Sequence, residues 1–231
     1  MAHPRPPWSK RRSTAILLVV VSLLVSARLV LATGATTTVD AADPWTLVSL
    51  ARNELQSGSP LEARFTQTFL PSGFSTGDLE SGALYVDLPL CIRFEYTEPF
   101  PKNFLLCGDW VYTWNPGEVS GRRFLATDDE AEGLDLLRLE VDELETRYRA
   151  ELAPNRDERT VVNLISMDPE AEIRAASLEL DRRQVGAATH SLHALAYEDR
   201  SGNRTRFEIS GYRPLAEVAV LRPPALEWLE D

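Results

Sequence analysis

Two cysteines, two histidines beyond the first 32 residues and one acidic cluster are the side chains whose chemistry would depend on spacing. If the segments on either side of Thr97–Pro101 form a hairpin with Tyr96 opposite Lys102, Cys91 falls opposite Cys107. A cross-strand disulfide then closes a loop of that length and contributes about 3 kcal/mol. A register shifted by a residue or two leaves two half-buried thiols instead. His190 and His193 are three apart, which on a strand turns them to opposite faces and separates them as metal ligands. Asp128, Asp129, Glu130 and Glu132 lack the spacing and turn glycine of a calcium loop and read as a solvated helix start. The chain has no phosphate-cradling glycine loop, no nucleophile elbow and no zinc-spaced cluster, so no cofactor, metal or catalytic residue is expected. It reads as a protein that is not an enzyme.

What remains is a set of large apolar residues in alternation: Phe65, Phe69, Leu84, Val86, Phe94, Tyr96, Trp110, Tyr112 and Trp114. They fill an ordinary core on one reading. On the other, an under-filled concave sheet face uses Phe65, Phe69, Leu84, Val86, Phe94, Tyr96, Trp110 and Trp114 to accept an apolar ligand.

The elements that must position them begin with a helix. Asp43 followed by Pro44 is an N-cap with proline in the first turn, Trp45, Leu47, Val48, Ala51 and Leu55 recur at helical spacing, and Ser57-Gly58-Ser59-Pro60 stops the run. Period two then takes over. Ala83–Thr97 is the clearest strand signal, with Leu84, Val86, Leu88, Leu90, Ile92, Phe94 and Tyr96 on one parity. Asp109–Trp114, Glu118–Ala126, Thr146–Leu152, Val161–Met167, Ile173–Asp181, Leu192–Tyr197 and Arg204–Tyr212 follow, and Asp199–Asn203 is a hairpin turn. A second helix is predicted from Thr127 through Leu134, Leu136, Leu137 and Leu139. The expectation is a mainly β domain of about 8 to 11 antiparallel strands with two or three helices, the helices covering the apolar face of a sheet that curls.

The chain has 231 residues, 44% apolar and 26% charged, which describes a folded globular protein. Residues 1–32 carry Arg5, Lys10, Arg11, Arg12 and Arg28 and no acid; without them 19 basic residues stand against 35 acidic ones, a formal charge of -16. Such a surface disfavours nucleic acid. The basic front and the apolar run Ala15–Val25 read as a secretory signal, with cleavage points after Ala27, after Ala32 or near Ala41 and Ala42. An uncleaved anchor is the alternative, because the apolar run continues to Ala32 across Arg28. The expected organisation is a signal peptide at 1–32, a spacer at 33–42 and one domain at 43–231, exported to an oxidising compartment where the cysteines pair.

Four runs in order then resemble one family: Arg64–Phe69 (RFTQTF), Ser81–Pro89 (SGALYVDLP), Ile92–Pro99 (IRFEYTEP) and Phe104–Pro116 (FLLCGDWVYTWNP). They are similar to the periplasmic lipoprotein carrier LolA and its relatives. Arg93, Tyr96 and Pro99 match that family's third strand, and Arg222-Pro223-Pro224 looks like its double-proline end. The resemblance implies an incomplete, half antiparallel β-barrel closed by helices around an apolar cavity. It implies a periplasmic carrier of lipoprotein acyl chains, served by an inner-membrane lipoprotein-releasing transporter and an outer-membrane acceptor, with no catalytic step. Carriers of this kind have a basic residue before the proline that ends the second strand, where it holds the helical cover shut; here that residue is Leu88. The cover is then held by packing alone, or the cargo is another envelope lipid. An anchored envelope sensor or scaffold built on the same half-barrel is the rival reading, and an exported lipid hydrolase a more distant one.

Overall fold

The computed structural model describes residues 43–126, 136–154, 158–182 and 190–230. The signal, the spacer and the acidic cluster at 128–132 lie outside these residues, as does most of the second predicted helix; of that helix, 136–138 is helical and Leu136, Leu137 and Leu139 are buried.

Helix α1 spans Pro44–Gly58, with the Asp43 carboxylate accepting from the Thr46 N–H at 3.0 Å. Its buried stripe is Leu47, Val48, Ala51, Arg52 and Leu55. The chain then builds β1 (Leu61–Leu70), β2 (Asp78–Asp87), β3 (Cys91–Glu98), β4 (Lys102–Cys107), β5 (Trp110–Trp114) and β6 (Ser120–Leu125). The run Ala83–Thr97, expected as one strand, is the hairpin β2–β3, turned at Leu88–Leu90. Partners there sum to an even number (Val86 with Ile92, Tyr85 with Arg93), so parity carries through the turn and alternation alone does not reveal it. Gly82 is required in β2: a Cβ there would stand 1.9 Å from the Glu95 carbonyl oxygen.

The second half holds α2 (Val141–Arg147), β7 (Tyr148–Leu152), β8 (Arg159–Ser166), β9 (Ile173–Asp181), β10 (Leu192–Asp199), β11 (Arg204–Pro214), a 3₁₀ turn (Val218–Leu221) and β12 (Glu227–Glu230). Helix α2 replaces the first residues of the strand expected at Thr146–Leu152. Its capping box joins Glu140 and Glu143 reciprocally, which satisfies two N–H groups at its start.

Among the described residues twelve strands form one open sheet in the order β12-β6-β5-β4-β3-β2-β1-β11-β10-β9-β8-β7, one more than the upper end of the expected range. Every pairing is antiparallel except β12 with β6. The sheet does not close; β12 and β7 are its edges. One face carries the core. Phe65, Leu84, Val86, Ile92, Phe94, Leu106, Val162, Leu164, Leu178, Leu195, Phe207 and Ile209 join the buried residues of α1 and α2 in one cluster, and α1 contacts β7, β8 and α2.

Candidate functional site

Strand register sorts the eight residues expected to form an apolar wall. Phe65, Leu84, Val86, Phe94 and Tyr96 lie on the face that carries the core and are buried. Phe65 meets Phe94 edge-on at 5.1 Å and Tyr96 at 5.0 Å, and Phe207 of β11 completes the cluster 5.1 Å from Phe94. Phe69 shares this face at its margin and is half-buried. Trp110 and Trp114 do not share it. Leu106 pairs with Val111, so the intervening tryptophans point to the opposite face.

Toward the end of the sheet where β3 turns into β4 the aromatic cluster becomes polar. The Tyr96 hydroxyl donates to Gln67 Oε1 at 2.5 Å, and burial pushes its pKa well above the usual tyrosine value. Lys102 donates to Glu80 at 2.7 Å while lying 4.5 Å above the Tyr96 ring. Beyond them opens a groove of about 460 Å³ lined by Tyr96, Lys102, Phe104, Thr113, Arg122 and Leu229 among others. The space beneath α1 is small by contrast. The space between Val48, Ala51, Leu55, Leu144, Leu178 and Leu192 measures about 20 Å³, little more than one water requires.

Arg52 is the residue of this region that periodicity did not single out. It lies beside the apolar stripe of α1, yet it is buried and donates to the carbonyls of Leu137 (2.9 Å) and Arg138 (2.8 Å) and to the Glu140 carboxylate (2.8 Å). A charge at a buried helical position is the only signal the sequence carried for it. Leu88 is buried at the end of β2, and its N–H donates to Ser59 Oγ at 3.3 Å, close to where α1 ends.

The opposite face has its own cover. Arg93 lies between the rings of Tyr85 (5.6 Å) and Trp114 (5.1 Å) and donates to the Val220 carbonyl at 2.8 Å and to Asn103 at 2.7 Å. Tyr85 donates to Glu95 at 3.0 Å; burial first, then that carboxylate, pushes its pKa up to about 12. Trp228 of β12 meets Tyr112 at 5.0 Å and Trp114 at 6.0 Å. It reaches them across Gly121, where a Cβ would stand 2.5 Å from its ring. Cys91 faces Cys107 in the register that puts Tyr96 opposite Lys102; their Cα atoms are 4.2 Å apart and the sulfurs are bonded.

An open antiparallel sheet with one aromatic-rich apolar face and a helix packed against it defines a half-barrel of the LolA-like kind. The family model described as "Outer membrane lipoprotein carrier protein LolA" matches residues 56–219, and the chain belongs to that family. Among solved structures it is similar to a LolA-superfamily protein from Nitrosomonas europaea, at 13% identity over 77% of this chain and 96% of that one, with a TM-score of 0.42. It is similar to a DUF1329 family protein from Desulfovibrio piger, at 12% identity over 80% of this chain and all (100%) of that one, with a TM-score of 0.46. In the MucA/MucB complex of Pseudomonas aeruginosa the likeness is 13% identity over 80% of this chain and 62% of that one, with a TM-score of 0.44; there the chain spans less than two thirds of the matched protein. No curated protein matches the sequence. Among the described residues no helix is long and apolar enough to cross a membrane.

Proposed function

We propose that this protein is a periplasmic, non-enzymatic carrier that hides the acyl chains of lipoproteins, or of another envelope lipid, from water between the inner and outer membranes. Residues 1–32 export it, 33–42 are a spacer and 43–231 are the carrier domain. It takes cargo from an inner-membrane lipoprotein-releasing transporter and yields it to an outer-membrane acceptor. The observation that supports this reading is the LolA family match over residues 56–219, a span that holds the whole cluster of Phe65, Phe94, Tyr96 and Phe207.

The physical task is to bury methylene groups, each worth about 0.8 kcal/mol. With about 20 Å³ of space beneath α1, acyl chains enter as α1 moves off the sheet, and the helix acts as a displaceable cover. Phe65, Leu84, Val86, Phe94 and Tyr96 then meet the chains, with Phe69 at the margin. Trp110 and Trp114, on the opposite face, take no part. Arg52 ties α1 to residues 137–140 and does what a basic residue at the place of Leu88 does in related carriers. Replacing it by methionine removes four hydrogen bonds, of which those to the two carbonyls leave buried acceptors, and lowers stability by about 2 kcal/mol while speeding cargo loss. Denaturant midpoints and lipid-release rates check both effects.

Native mass spectrometry of the protein recovered from its host's envelope tests the carrier reading. Bound acyl-bearing cargo on a water-soluble chain supports it, and Phe94→Glu should abolish that cargo. If Phe94→Glu does not fold, Phe69→Glu at the half-buried margin serves instead. A folded variant that keeps its lipid refutes the wall assigned here. A lipid-free chain that still carries residues 15–32 in the membrane fraction favours the anchored sensor or scaffold.

A further inference from the structure

Antiparallel pairing brings the turns β1–β2 (71–77), β3–β4 (99–101), β5–β6 (115–119), β8–β9 (167–172) and β10–β11 (200–203) to the same end of the sheet. Five of the nine exposed large apolar residues among those described stand at that end: Phe74, Leu79, Phe100, Val119 and Met167, each between 57% and 83% exposed. Three of these turns alternate with paired strands along one half of the sheet, and each lifts one apolar side chain: Phe74, Phe100 and Val119. Residues 71–77, 99–101 and 115–119 together contain one ionisable side chain, Glu118, in a chain that is 26% charged. The groove of about 460 Å³ opens beside the third of these turns, with Asn115, Glu118 and Ser120 on its wall.

We propose that this rim is a membrane-contact edge, and that Phe74, Phe100 and Val119 enter the interfacial layer of a zwitterionic bilayer with the groove mouth facing the lipid. Successive hairpins stand two strands apart, or about 10 Å, so the apolar tips are separate projections with Pro, Ser, Gly and Asn between them. A protein partner would need a pocket for each. A bilayer surface takes discontinuous projections without any matching shape, and exposed apolar residues gathered at one site mark such contacts. Charge decides the lipid class. The three turns hold no cation, and the arginines further along the rim are paired: Glu198 takes Arg174 and Arg204, and Glu170 takes Arg200. In the groove wall Lys102 is paired with Glu80 and Arg122 is also engaged, so the cations at the contact are already partnered and the interaction is apolar and insensitive to salt. The inference goes beyond the carrier reading and does not depend on it, because the rim would touch lipid whatever the interior holds.

The test uses the full chain with an environment-sensitive fluorophore attached at Ser75→Cys in the β1–β2 turn, or at Asp109→Cys in the β4–β5 turn at the opposite end. It is mixed with protein-free phosphatidylcholine and phosphatidylethanolamine vesicles. Because the position of the probe is read, association through residues 15–32 does not confuse the result. A blue shift at Ser75→Cys that persists at high salt, with none at Asp109→Cys, is expected. Combining Phe74→Ser with Phe100→Ser should abolish it, since each exposed ring contributes about tenfold in partitioning when inserted. Leu90→Ser at the opposite end should leave it intact. Equal shifts at both ends, a shift lost at high salt, or one unaffected by the double substitution in a chain with wild-type near-ultraviolet circular dichroism would overturn the proposal. No shift at all would also overturn it and leave the tips to a protein partner. Loss of lipid cargo with the vesicle shift intact would count against the carrier reading alone.

Discussion

The two faces of the sheet are both apolar in the β3–β5 region, but they are covered by different parts of the chain. Leu105 and Leu106 are consecutive in β4 and each is 0% exposed, which a strand reaches only when both faces are covered. Leu106 points into the core shared with α1, whereas Leu105 points toward Tyr112 and the side where the C-terminal segment crosses. Against the first face packs α1, which contacts β7 and β8. The second is closed by the 3₁₀ turn against β2 and β3, held through Arg93, and by Trp228 against Tyr112 and Trp114. The second is closed locally around the half-buried Arg93, which donates to Val220 and Asn103.

The largest effect expected from this comparison is that Leu105→Ala and Leu106→Ala destabilise alike, each by about 3 kcal/mol, because both leave cavities in closed surroundings. Equilibrium denaturation of the two variants checks it. A markedly smaller loss for Leu105→Ala would mean that the outer seal is loose and that the two faces differ in packing as well as in cover. A smaller effect is expected for Trp228→Ala, a half-buried ring whose loss costs about 2 kcal/mol and exposes Trp114. Its readout is the near-ultraviolet tryptophan signal together with the denaturant midpoint. If lipid binding is retained in that variant, function is confined to the α1 face; if it is lost, the seal belongs to the site.

The sequence made the core face legible wherever register was local. Cys91, Tyr96, Lys102 and Cys107 fall in the expected register because a short turn fixes their pairing, and β9 begins and ends at the expected residues, Ile173 and Asp181. Trp110 and Trp114 were placed on the wrong face for a physical reason. In Trp110–Trp114 the larger side chains occupy one parity, which reads as inward, but the phase of β5 is set by Leu106 opposite Val111. What covers Trp114 arrives more than a hundred residues later, as the single ring of Trp228, with no periodicity of its own. Helix α2 was hidden because its N-cap is a glutamate rather than a serine or threonine, and its apolar content is slight. Arg52 was hidden because a long charged side chain beside an apolar stripe ordinarily snorkels to water.

The smallest effect separates the faces by pH. His190 stacks on Tyr212 at 4.8 Å, and its Nε2 is buried without a hydrogen-bond partner. Its surroundings are Gly58 at the end of α1, Glu54 one turn earlier, the adjacent Ser191, which donates to Glu54 at 2.6 Å, and the Tyr212 ring of β11. Burial lowers the His190 pKa below the ordinary 6.5, and Glu54 opposes that shift only in part. The unfolded chain therefore takes up the proton first, so stability is greatest above about pH 6.5 and falls as the pH drops through that value. Glu179, held low by its hydrogen bond from Arg206, adds a loss of the same sign at more acid pH, once its carboxylate begins to protonate. His190→Gln should flatten the first slope and leave the second. Denaturant midpoints of both proteins measured from pH 8 to about pH 3 decide the matter, because the histidine slope lies above about pH 5 and the carboxylate slope below it. A slope that survives the substitution would move the titrating group away from the end of α1, and with it the idea that the helix-covered face is the one that responds to its surroundings.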